Sequence, residues 1–145
     1  AWDHYQGESM FVGVTAVGEW SLMVEVNGFL GVTPAAMLPV SRGRRAVSHY
    51  RNVNAVDHFY WFEDGETRLH FEPLCPSRRD GSHADEILTE MRESGFDLRD
   101  GRDRDHTRHT EAAFALAHRL TGIRLTPELF ESAEFTCGTA PLPRG

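Results

Sequence analysis

Lysine is missing from this chain of 145 residues: all 15 basic residues are arginine, set against 22 acidic ones for a formal charge of -7. A general grip on nucleic acid rests on many basic contacts that displace counterions, so nucleic acid is not expected as a partner. Cysteine is nearly missing too. Cys75 and Cys137 are too few for a disulfide scaffold and lack the paired spacing of a zinc site, which leads to reduced thiols and a cytoplasmic location. No apolar run approaches the roughly 18 residues needed to cross a bilayer, and Ala1–His4 begins no basic-then-apolar leader, so no membrane association is expected. Glycine-rich phosphate loops and internal repeats are also absent. The chain does not begin with methionine, from which we expect a segment before Ala1 to be missing.

The length fits one domain, residues 1–145, able to bury a core without staples. Arginine as the sole cation beside abundant Ala, Gly and Val fits the codon bias of a GC-rich bacterial genome.

The most informative stretch runs from Arg45 to Leu74. Asp64-Gly65 stands between an aromatic run and an alternating run and predicts a two-residue type I′ turn, since both central residues need positive φ. Counting outward pairs Glu63 with Glu66, Phe62 with Thr67, Trp61 with Arg68, Tyr60 with Leu69 and Phe59 with His70. Tyr60, Phe62, Leu69 and Phe71 then share one face, and Phe59 and Trp61 lie on the other with Arg68 and His70. Upstream, Phe11–Val17 and Trp20–Asn27 flank Gly18-Glu19 as a second hairpin, with Val12, Val14 and Ala16 beside Met23. Thr33-Pro34 opens a short helix limited by Pro39.

Ser82 caps the next expected helix, whose Ala84, Ile87, Leu88 and Met91 form one stripe before a Gly95 stop locked by Phe96. Residues 97–108 alternate in charge and read as a connector. A helix from about Thr110 to Thr121 turns Ala113, Phe114, Leu116, Ala117 and Leu120 inward and ends at Gly122, and Thr126-Pro127 opens a last short one. Residues 139–145 read as a tail. Hairpins first and helices afterwards give the α+β class, an antiparallel sheet with helices packed on one face. The face of Phe59 and Trp61 would then need another cover: the segment before Ala1, the helix after Thr33, or a second molecule.

Four segments, Trp20–Gly28 (WSLMVEVNG), Val47–Ala55 (VSHYRNVNA), Phe71–Pro73 (FEP) and Leu120–Thr126 (LTGIRLT), resemble a family of small actinobacterial proteins of unknown function. The resemblance covers Phe11 to about Phe135, implies a bacterial source, and carries over no catalytic motif.

Candidate residues follow from the pattern. His106 and His109, with Asp103 and Asp105 upstream, are competent ligands but sit in a solvated connector, so no metal and no other cofactor is expected. Cys75 has no sequence pattern that would place a base beside it. Glu25, Glu63 and Glu72 sit at outward strand phases and support no acid–base pair. Arg44, Arg45, Arg51 and Arg78 could converge on a phosphate or carboxylate. The leading expectation is a non-enzymatic interaction module, of accessory, regulatory or immunity type, binding a protein partner or a second copy through Phe59, Trp61, Arg68 and His70 with those arginine loops. The alternative is a small enzyme on an anionic ligand, with the arginines as clamp and His49 or His70 as acid or base.

Overall fold

The computed structural model describes residues 9–26 and 28–141. In chain order they form β1 (Ser9–Val17), β2 (Trp20–Val24), a 3-10 turn (Leu30–Val32), α1 (Pro34–Val40), β3 (Arg45–Arg51), β4 (Asp57–Glu63), β5 (Glu66–Phe71), the two-residue β6 (Arg79–Asp80), α2 (Leu88–Ser94), α3 (His109–Thr121), α4 (Pro127–Ser132) and β7 (Thr136–Pro141). All strand pairs are antiparallel, in a three-stranded sheet ordered β2-β1-β7 and a four-stranded sheet ordered β3-β4-β5-β6. This is the expected α+β class, divided into two sheets. No helix among the described residues is long and apolar enough to cross a membrane.

The local signals act as their chemistry requires. Gly18 has φ +61° in the turn that sets Val17 opposite Trp20 and Val14 opposite Met23. Asp64 and Gly65 have φ of 52° and 76°, the type I′ signature. Gly95 and Gly122 end α2 and α3 in the left-handed region, and the Thr126 hydroxyl accepts the Leu129 N–H at 3.2 Å to cap α4. Ser82 does not cap α2, which starts only at Leu88; its backbone N–H donates to the Thr67 carbonyl instead. β2 stops at Val24, short of the expected Asn27, which lies outside the described residues.

The register of the central hairpin corrects the simple count. Glu63 faces Glu66 and Phe62 faces Thr67, but Trp61 then faces Leu69, Tyr60 faces His70 and Phe59 faces Phe71, so Arg68 is the extra residue of a β-bulge. The loop after β6 secures it: His83 N–H donates to the Arg68 carbonyl at 2.8 Å. Because side chains alternate with period two, one inserted residue moves Leu69 and Phe71 onto the face of Phe59 and Trp61. Those four pack with Met91, Phe96, Ala112, Ala113, Leu116 and Leu120 from α2, α3 and the turn between them. Large apolar side chains buried this way contribute roughly 1.5 to 3 kcal/mol each. The chain's own helices thus cover the face that was expected to await a partner. Phe114, expected inward, is 46% exposed, and Ala112 packs in its place.

On the opposite face, Phe62 is fully buried where the 3-10 turn and α1 lie over the sheet. The Glu25 carboxylate accepts the N–H groups of Leu30 and Gly31, each at 3.0 Å, and so ties that turn down. Part of the expected tail forms β7: Thr139 to Pro141 pair with β1, Phe11 opposite Thr139. Residues 142–145 lie outside the described residues.

Candidate functional site

The arginines do not converge. Arg45 and Arg51 begin and end β3, six residues apart and so separated by about 20 Å at strand rise. Arg44 lies by the Asp64-Gly65 turn, whereas Arg78 follows Cys75 in the loop beyond the other end of β5. Arg45 serves the core: its guanidinium bonds Glu63, donates to the Leu120 carbonyl at the end of α3 at 2.8 Å, and sits 5.3 Å from the Trp61 ring centroid. That bond holds the Glu63 carboxyl below the usual range against the opposing effect of burial. Arg51 donates to the Thr110 hydroxyl. Arg68, the bulge residue, meets Glu66 at 3.2 Å and His83 at 2.8 Å.

Among the described residues two groups of side chains remain that carry chemistry. The first is on the helix-covered face, at the end where β3 and β4 are joined by a turn. Asn52 shapes that turn by accepting the N–H groups of Asn54 and Val56, each at 3.0 Å, around Ala55 with φ 60°. Asp57 follows and is 3% exposed. His49 Nε2 donates to its Oδ1 at 2.7 Å, and the His49 ring meets Phe114 edge-on at 5.3 Å. Oδ2 of Asp57 is buried without a hydrogen-bond partner among the described residues, with His109 Nε2 at 3.7 Å. His109 Nδ1 donates to the His106 carbonyl at 2.9 Å. An aspartate fixed to a histidine in this way sets the ring's tautomer and orientation.

Beyond His109 a cavity of about 10 Å³, lined by Pro73, Pro76, Phe96, Arg104 and His106, has room for roughly one water. Arg104 also reaches the Cys75 sulfur at 3.2 Å, and both Cys75 and Cys137 are free thiols. An open groove of about 450 Å³ continues past Phe96 along Arg92, Leu98 and Arg99, and none of the sequence-predicted binding residues lines it. Arg99 is itself paired with Asp97 at 2.6 Å, which keeps the Asp97 carboxyl well below its ordinary range.

The second group lies on the outer face of the four-stranded sheet, where α1 and the 3-10 turn leave off. Tyr50, His58, His70 and Tyr60 are half-buried there and continue into Phe62 as a row of stacked rings. Tyr60 lies 4.2 Å from His70 and 4.9 Å from Phe62, with interplanar angles of 18° and 6°. Hydrogen bonds run along the same row. His70 Nδ1 is 3.2 Å from Asp80 Oδ2, and His58 Nδ1 is 3.1 Å from His70 Nε2. Burial pushes the Tyr60 phenol up, and the Asp80 charge adds to that.

The sequence reading named His70 and Arg68 for this sheet but placed Phe59 and Trp61 with them as the binding anchors. The structure buries both, at 0% and 5% exposed, because the bulge reverses the faces. The sequence reading did not place Tyr50, Tyr60 or Asp80 in a binding face. Alternation alone marks Tyr50, His58 and Tyr60 as a face of their own, but Asp80 joins them only through β6. Among the described residues no group of three metal-competent side chains converges.

Searches of curated proteins and of solved structures find no match. Over residues 1–144 the sequence matches the profile of a family of unknown function, DUF6461, and the chain belongs to that family.

Proposed function

We propose that this protein is a non-enzymatic binding module, in the cytoplasm of an actinobacterium, that holds a protein partner on the outer face of its four-stranded sheet. The observation that carries this reading is the row Tyr50–His58–His70–Tyr60: four half-buried rings, ordered by stacking and hydrogen bonds, which the helices among the described residues leave open. Aromatic residues with a polar tip are enriched at interfaces because one side chain supplies both contact area and a directed hydrogen bond. The free thiols and the all-arginine basic set support the assigned compartment and source.

The test is capture from an actinobacterial lysate by the cross-linked full chain, followed by titration of the purified partner against wild type, Tyr50→Ala and His58→Ala. An anchoring ring contributes about 2 kcal/mol, so each variant should bind roughly 30-fold more weakly while melting close to wild type. Equal affinities would overturn the reading, and concentration-dependent sedimentation of the protein alone would replace the partner by a second copy.

A small enzyme on an anionic substrate is the second reading, favoured by the oriented His49–Asp57 pair. It takes second place because the arginines meant to clamp that substrate stand apart.

A further inference from the structure

The tautomers along the outer row decide what it can recognise. Ionised Asp80 only accepts, so the proton of the 3.2 Å contact belongs to His70 Nδ1. In the neutral ring the Nε2 of His70 is then a lone pair, and it takes the Nδ1–H of His58 across 3.1 Å. That leaves His58 Nε2 as a lone pair with no hydrogen-bond partner among the described residues. Asp80, its side chain 74% exposed, keeps its second carboxylate oxygen open as well. The row therefore presents two open acceptors, His58 Nε2 and the Asp80 carboxylate, beside the Tyr60 hydroxyl and a Tyr50 hydroxyl that already accepts from Asn52 Nδ2 at 3.3 Å.

The charges around this row point the same way. Asp80 lies near enough to Tyr60 for its charge to act on the phenol. The neighbouring cations are already engaged: Arg68 with Glu66 and the Glu63 carbonyl, and Arg79 with Asp85 and the carbonyls of Pro76 and Ala84. The whole chain carries -7. Tyr60 is stacked between His70 and Phe62, so its faces are occupied and an incoming group meets its edge and polar tip. That disfavours a flat base, which needs a free ring face.

We infer that the row recognises an arginine-bearing, basic segment of a protein, a guanidinium donating to the Asp80 carboxylate at one end of the relay and a second donor of the same segment meeting His58 Nε2 at the other. A guanidinium presents five N–H donors in a rigid plane and suits the two oxygens of an exposed carboxylate at once, whereas an ammonium is a compact point charge. This rests on the binding-module reading and narrows its partner.

The experiment selects peptides from a random displayed library on the full-length protein and titrates the retained peptides against wild type, Asp80→Asn and His70→Phe. Arginine should be enriched several-fold over the input. Asp80→Asn removes charge at an exposed position, and His70→Phe keeps a stacking ring while freeing His58 from its imposed tautomer. Both should weaken binding tenfold or more, with melting curves confirming that each variant is folded. Retained peptides that are acidic or uncharged, arginine-to-lysine replacements that bind equally, variants that bind like wild type, or no retained peptide at all would each overturn the inference. A captured partner that depends on Tyr50 and His58 but contacts the row through a segment without arginine would overturn this inference alone.

Discussion

Truncating Trp61 to alanine distinguishes a core residue from an interface anchor. The side chain is 5% exposed, its Nε1–H donates to Glu63 at 3.3 Å, and the Arg45 guanidinium lies over its ring. A tryptophan buries about 150 to 250 Å², which at about 25 cal/mol per Å² gives about 4 to 6 kcal/mol as an upper bound. Alanine keeps a little of that area, and the core helices relax into only part of the space, so the expected loss is about 3 to 5 kcal/mol. Urea unfolding reads it directly. With a slope of about 2 kcal/mol per molar, the midpoint should fall by roughly 2 M at unchanged slope. The thermal midpoint should drop by roughly 6 to 20 °C, with no change in sedimentation. A loss below about 1 kcal/mol, or a change in association with stability intact, would refute the assignment of this face to the core.

Two further expectations follow from the same sheet. In the folded protein the Arg45 bond depresses the Glu63 carboxyl, so its contribution is present above the unfolded carboxyl value of about 4.3 and is lost as pH falls through the lower folded value. The stability difference between wild type and Glu63→Gln should therefore shrink below about pH 4. It should stay within about 1 kcal/mol at neutral pH because Arg45 is 37% exposed, and a difference that grows on acidification would contradict the pairing. Gly81→Ala should cost more than Gly101→Ala in chemical denaturation, by about 2 kcal/mol. Both glycines have positive φ, 122° and 114°, but only at position 81 does a Cβ strike backbone, colliding with the Arg68 carbonyl and lying 2.8 Å from Leu69 N. Equal costs would mean that the loop does not clamp the bulge.

What the sequence made legible was local. Turn glycines, the Asp64-Gly65 hairpin and the glycine stops of α2 and α3 depend on backbone conformations that few residues adopt, and the Thr126 cap on a short side-chain hydroxyl, so composition reports them. The bulge at Arg68 has no such local marker, because its partners come from the loop at Ser82 and His83, more than a dozen residues later. One signal was nonetheless available: Leu69 and Phe71 cannot reach the face of Phe59 and Trp61 in an unbroken ladder, yet all four are large apolar residues of the hairpin that call for burial. β7 was hidden because Thr136–Pro141 is polar and small and becomes a strand only by pairing with β1. The outer row was half legible. Its rings alternate correctly in β3 and β4, but the Asp80 that fixes the histidine tautomers arrives through a two-residue strand too short to show a period.

The pairing of β1 with β7 orders events in time. A two-stranded hairpin alone is at best marginally stable, and β1 obtains its second neighbour only when a segment nearly the whole length of the chain away is at hand. On the ribosome, the four-stranded sheet and α3 can assemble while one edge of β1 still offers bare N–H and C=O groups to any passing strand. The sheet made from the earliest of the described strands is thus the last to be closed.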